Sequence, residues 1–311
     1  MEKNKDILQI FLMIIVVTIS GFLGMSMPLV AITYPIILTF IGLKEGMNKS
    51  IITFVVSLAI IGAISQDLNA LAIPFQYGIL SIITSYMINK KYKINQIILY
   101  SAGLVFAMVL IHMGLRWNFT GINTFTELEG NLVEISKQQI ATLKTGDMKE
   151  SEISQITNVL RSMTDHIASI FPVLLMISSL FIAYINYYIS SRLAQKAGRV
   201  DIEVPKFSKL IFPKHVITGF GSVLLVSYAL KFIGGFNYNQ LLDNIFILIY
   251  LVFLVEGLSL TVFLINKMKM GKFFKVLFIT MIVASSFFNI VLFSLGIMDI
   301  IIDFRKIREV N

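Results

Sequence analysis

Long apolar stretches alternate with short polar ones along nearly the whole chain. They fall at about 7–25, 28–43, 50–65, 71–89, 95–115, 166–190, 215–233, 243–266 and 273–297. A helix crossing a bilayer needs roughly 20 apolar residues, so most of these stretches are long enough to span. The stretches at 28–43 and 50–65 are short and require tilt, a thinner bilayer or burial inside the protein. None shows the apolar–polar alternation of a membrane barrel, and backbone groups in hydrocarbon must be satisfied internally, so helices follow. The pattern predicts an all-α polytopic transmembrane bundle of about nine spans. Lys3 and Lys5 precede the first stretch as they would in a signal peptide. That stretch is long for a signal core and a second follows at once, so a retained signal-anchor helix is expected.

The polar intervals divide the chain into three regions. Residues 1–190 form a six-helix membrane region carrying an insert at 116–165. Residues 191–214 form a basic connector containing Pro205 and Pro213, and 215–311 a three-helix membrane region. Within the insert, Ile153, Ile156, Leu160, Met163 and Ile167 recur at three- and four-residue steps, which marks one face of an amphipathic helix that Ser151 can cap. Leu128, Leu132, Ile135 and Ile140 make a weaker stripe, separated from the first by Thr145-Gly146-Asp147. The two helices either pack on the bundle and the membrane surface or act as a lid or docking element.

Composition agrees with this reading and narrows the function. Of 311 residues, 56% are hydrophobic and 14% charged, so lipid is the solvent for most of the chain. The net charge of +8 comes from basic clusters between apolar runs, the pattern of a protein oriented against anionic lipid, and nucleic acid is not an expected partner. With the N-terminus inside, Lys3, Lys5, Lys44, Lys49, Lys90, Lys91, Lys93, Arg192, Lys196, Arg199, Lys206, Lys209, Lys214, Lys267, Lys269, Lys272 and Lys275 all fall inside, 17 of the 26 basic residues. The expected topology is therefore a cytoplasmic N-terminus in the cell membrane and an external 116–165. Nine spans then put Arg305, Lys306 and Arg308 outside, against the rule. Either the last helix overrides a weak local bias, or 298–308 lie along the interface, or one short segment does not span.

With no Cys, thiol chemistry and disulfides are excluded, and His112, His166 and His215 are too scattered for a metal motif. There is no phosphate-cradling loop, no zinc-protease helix and no nucleophile–base arrangement, so neither an enzyme nor a cofactor is expected.

Glu256 is the leading candidate for chemistry. It stands within Phe253-Leu254-Val255-Glu256-Gly257-Leu258, about 15 Å from the inner end near Ile265 at 1.5 Å per residue. A carboxylate there must be paired, hydrated or protonated, which makes it either a functional group or a hydrogen-bonded structural one. Ser285, Ser286 and Asn289 fall at similar depth on the next helix and could supply partners, and Gly257 permits close approach. His112 and Arg116 lie one turn apart before Trp117, as a membrane-edge anchor or as a polar site for an anionic solute. Asp67, Asn69 and Gln76 line an outer turn, Asn186 sits among Tyr184, Tyr187 and Tyr188 near the inner face, and Ser20/Gly24 and Gly103/Ala107 are small-residue pairs.

Three places carry a resemblance. Pro28-Leu-Val-Ala-Ile-Thr-Tyr-Pro35-Ile-Ile precedes Gly42-Leu-Lys-Glu-Gly46. Glu256-Gly257-Leu258 follows in the eighth span, and Leu295-Gly-Ile-Met-Asp299 and Asp303-Phe-Arg-Lys306 come near the end. Together they resemble the YybS-like family of bacterial membrane proteins, over nearly the whole chain. In that family Gln is frequent where this chain has Glu256, which implies that a titratable carboxylate is not a family requirement. More distantly, the first six spans look like the substrate-binding S components of energy-coupling-factor transporters, with a Pro before the second helix and a glycine turn after it. That likeness implies a six-helix solute-binding half, from which the insert at 116–165 departs.

The expected function is transport-related binding of a small-molecule ligand between helices, with partner membrane proteins. The alternative is a non-transporting envelope or sporulation-associated scaffold.

Overall fold

The computed structural model describes residues 2–144, 150–204, 206–232 and 238–306. The Thr145-Gly146-Asp147 break, Lys149, Pro205 and Arg308 lie outside the described residues. The described residues fold into α-helices and two short 3₁₀ turns: α1 Glu2–Ser26, α2 Pro28–Ala31, α3 Thr33–Lys44, α4 Met47–Ser65, α5 Ala72–Asn89, α6 Ile94–Thr120, α7 Thr124–Lys144, α8 Glu150–Ser169, α9 Phe171–Lys196, α10 His215–Leu230, α11 Tyr238–Lys267, α12 Lys272–Ala284 and α13 Ser286–Ile302. The all-α polytopic class is as the apolar pattern requires.

The span count is not nine by helix length. Among the described residues, six helices are long and apolar enough to cross a membrane, and up to seven if the bent pair α12–α13 is one span. The apolar segments Pro28–Lys44 and His215–Leu230 are shorter. The last stretch, expected to be continuous, breaks at Ser285 and turns by 98°. Ser285 is extended (φ −100°, ψ 116°) between the two helices. A Ser-Ser pair is among the usual causes of a sharp kink where no proline is present.

The chain forms two compact units, Met1–Leu128 with Leu175–Val204, and Glu129–Leu174 with Pro205–Asn311. In the first unit α3 is the buried element. Tyr34, Leu38 and Ile41 pack with Val17 of α1 and with Phe54 and Ile61 of α4. Burial inside the bundle therefore accommodates this short segment, since a helix wrapped by protein need not match bilayer thickness. The Ser20/Gly24 pair makes the approach possible. The Ser20 and Thr33 hydroxyls are 2.5 Å apart, and a Cβ on Gly24 would come within 2.7 Å of the Ala31 Cα. Gly103 has open space where a Cβ would go, so the Gly103/Ala107 pair makes no such contact.

In the second unit, α11 is flanked by α10, α12 and α13, with Ile265, Ile282 and Leu292 forming a local core. Along α8, Ile153, Ile156 and Leu160 are half-buried and Thr164 is buried, while Met163 and Ile167 are exposed. The Thr164 hydroxyl lies 2.9 Å from that of Ser136 on α7.

Candidate functional site

α11 is a continuous helix of 30 residues, about 45 Å long. Leu, Ile, Val and Phe fill most of it, and Glu256 is completely buried within it. What stands beside Glu256 is decided by two glycines. A Cβ on Gly257 would overlap the Leu292 carbonyl oxygen and lie 2.7 Å from its carbon. A Cβ on Gly296 would meet Phe253 in the same way. The backbones of α11 and α13 thus touch at Gly257 and Gly296. Phe253 and Phe293 pack edge to face at 5.6 Å on the turn preceding Gly257 and Gly296. The pairings advance together, so α13 runs in the same direction as α11.

Past α13 the chain reverses at Asp303, a non-glycine residue in the left-handed region (φ 54°), with its N–H donating to Asp299 O at 2.9 Å. The Asp299 carboxylate accepts from Phe304 N–H at 3.1 Å, and the turn carries Arg305 back into the bundle. Arg305 Nη2 donates to Glu256 Oε1 and to Asp299 Oδ2, both at 2.6 Å, and Nε donates to Asp299 Oδ2 at 3.0 Å. Its Nη1 reaches Leu210 O (2.9 Å), Ser208 O (3.2 Å) and Ser259 Oγ (2.7 Å). All five guanidinium N–H groups therefore have acceptors, which a buried arginine requires. All three charged side chains are fully shielded from solvent. Phe212 N–H donates to Glu256 Oε2 at 2.9 Å. The Ser259 hydroxyl sits 2.6 Å from Phe207 O and 2.8 Å from Leu210 O. Connector residues 207–212, α11, α13 and the chain's end thus meet at one buried charge cluster.

This arrangement brings Arg305 to the basic connector. Arg305 lies against the connector carbonyls, so the end of the described chain and the connector share one end of the second unit. A continuous last span would have separated them. The arrangement also revises the setting of Glu256. It lies beside the connector segment that follows Lys206 and holds the short 3₁₀ turn Phe207–Lys209.

The other sequence candidates fall elsewhere. Ser285 and Ser286 stand at the α12–α13 elbow, Ser285 half-buried and Ser286 exposed, and Asn289 is half-buried one turn on. The partners that hold the Glu256 carboxylate are instead Arg305 and the Phe212 N–H. Ser259 has no signal in the sequence, while Asp299 and Arg305 stand there only in the resemblance and the charge pattern, not as partners of Glu256. The available signal was an aspartate inside apolar α13, six residues before an arginine, since a buried carboxylate calls for a cation.

In the first unit His112 is half-buried, and the Arg116 guanidinium is taken up by Glu127, with Nη2 to Oε1 at 3.0 Å. That hydrogen-bonded pairing holds the Glu127 carboxyl below the usual carboxylate range. Asp67 Oδ1 accepts from Asn69 N–H at 2.9 Å, which makes this pair a cap on its turn. Asn186 is fully buried. Its Oδ1 accepts from Thr39 Oγ1 (3.1 Å), its Nδ2 donates to Thr84 Oγ1 (3.4 Å), and the Thr84 hydroxyl is 3.0 Å from that of Ser101. One polar chain therefore ties α9, α3, α5 and α6 together, as interhelical hydrogen bonds do in membrane bundles. Beyond α9, Arg199 donates to Leu43 O, to Asn89 Oδ1 at 3.3 Å and to the Asp201 carboxylate.

Comparison with known proteins gives the family of the chain. The chain is 22% identical to the uncharacterized protein YybS of Bacillus subtilis (strain 168), over 93% of this chain and 90% of that protein. No solved structure matches it. The family model described as "Predicted membrane protein (DUF2232)" matches residues 9–300, a range that takes in Glu256, Gly257, Gly296 and Asp299. The chain belongs to this family of membrane proteins.

Proposed function

We propose that the protein is a transport-related membrane protein that binds a small solute between its helices. The observation that carries this reading is a broken apolar helix, α12–α13, packed through paired glycines on a helix with a fully buried carboxylate. Discontinuous helices beside buried ionisable groups are how secondary transporters build solute and coupling sites. The sequence likeness of the first six spans to solute-binding S components points the same way. In this reading the N-terminus is cytoplasmic, the protein resides in the cell membrane, and residues 116–165 are external.

The test is a metabolite screen on the purified protein in nanodiscs, read by thermal shift and native mass spectrometry. The reading expects a small solute that stabilises the wild type and whose effect is lost in Glu256→Gln while the variant still folds. A complete screen without a stabilising solute, or an effect untouched by changes at Glu256 and Asp299, contradicts it.

A scaffold role has one observation in its favour. Val159, Met163 and Ile167 are exposed on α8, and a partner helix could cover them. Loss of a co-purifying membrane protein on Met163→Asp, with no solute found, would favour that role.

A further inference from the structure

From Gly257 to Met298 the chain contains no Asp or Glu, yet it carries Lys267, Lys269, Lys272 and Lys275 within nine positions. These four lysines sit at the corner where α11 ends and α12 begins. Among the described residues none of them is ion-paired. Lys275 Nζ donates to Asn266 O at 3.0 Å, which folds the first turn of α12 back onto the end of α11. The Lys267 ammonium lies over the Phe263 ring at 4.5 Å, while Lys269 and Lys272 are exposed. Immediately beside them, Phe273 and Phe274 are 72% and 60% exposed, and Met268 and Met270 are also exposed.

Four cations without an ion-pair partner among the described residues are open to an external anion. The flanking side chains specify its chemistry, since unpartnered Phe and Met beside the ammonium groups suit acyl chains directly under an anionic headgroup. Aromatic side chains favour this depth of a bilayer, and lysines near its surface are drawn to anionic lipid. We propose that the α11–α12 corner is a binding surface for anionic phospholipid. Lys267, Lys269 and Lys272 hold the headgroup phosphate, and Phe273 and Phe274 lie along the chains. The proposal does not depend on whether the protein transports a solute.

The test uses the full chain in nanodiscs of equal parts phosphatidylglycerol and phosphatidylcholine, with native mass spectrometry counting the lipids that stay bound on release. Wild type should retain phosphatidylglycerol over phosphatidylcholine. Lys269→Gln with Lys272→Gln should lower that preference by roughly fivefold per lysine removed. Lys269→Arg with Lys272→Arg should preserve it. No preference in the wild type, or an undiminished one in the Gln variant, overturns the proposal. If the Gln variant does not fold, the wild type is read alone across rising salt, where a fading preference supports the proposal and a constant one overturns it.

Discussion

Gly257 of α11 and Gly296 of α13 meet at backbone contact: a Cβ on Gly257 would overlap the Leu292 carbonyl, and a Cβ on Gly296 the Phe253 carbonyl. This contact sets Asp299 beside Glu256, so the buried charge cluster depends on two residues with no polar side chain of their own.

Replacing either glycine with Ala should therefore force the helices apart. Overpacking of this kind costs about 1–3 kcal/mol, and here the opposing atoms are backbone, which cannot rotate away. Gly257→Ala and Gly296→Ala should lower thermal stability in detergent, whereas Gly103→Ala, facing open space, should leave it unchanged. Equal melting temperatures for all three would contradict the close contact.

At the cluster itself, Glu256→Gln should be mild. The amide keeps an acceptor for Arg305, and Asp299 retains the charge pairing. Glu256→Leu should harm folding more, because the Phe212 N–H and one Arg305 donor lose their acceptor. Fluorescence-detected size exclusion after heating ranks the two variants, and the reverse order would count against the cluster.

A helical bundle and its apolar segments were legible in the sequence, because lipid burial imposes composition over 20 residues at a time. The site was legible only in part. Glu256 stood out as a carboxylate in an apolar run. Its real partner lies 49 positions away at the chain's end, reached through a left-handed turn at Asp303 that no periodicity announces. Ser285 and Ser286 matched Glu256 in depth only if the last span was straight, and the break at Ser285 removes that premise. Asn186 was similarly hidden, since its partners Thr39 and Thr84 come from helices far away in sequence.

At the start of α7, Glu127 pairs with Arg116 at the end of α6, and its carboxyl is held below the ordinary range. A depressed carboxylate stabilises the paired state above its unfolded pKa, and this contribution is lost as pH falls through the depressed value. Hydrogen exchange at the start of α7 should therefore quicken as pH drops below the usual carboxylate range, after correction for intrinsic rates. High salt should blunt the effect because the pair is exposed. Glu127→Gln should exchange fast throughout, and a pH-independent wild type would contradict this account.

Topology is testable because the chain has no native Cys. Lys137→Cys should label from outside intact cells, while Lys214→Cys and Lys306→Cys should both label only after permeabilisation. The reverse accessibility for Lys137 would overturn the proposed orientation. Labelling of Lys214 and Lys306 from opposite sides would overturn the shared end of the second unit.

Arg305 bridges to Asp299 inside the bundle, and a double-mutant cycle measures that link. Arg305→Ala should cost about 3–5 kcal/mol, because it leaves two buried carboxylates without their cation. Asp299→Ala should also destabilise. The double variant should be more stable than the two losses added together, with a coupling of roughly 0.5–3 kcal/mol. Losses that simply add, or an Arg305→Ala variant as stable as wild type, would mean that the chain's end does not enter the bundle.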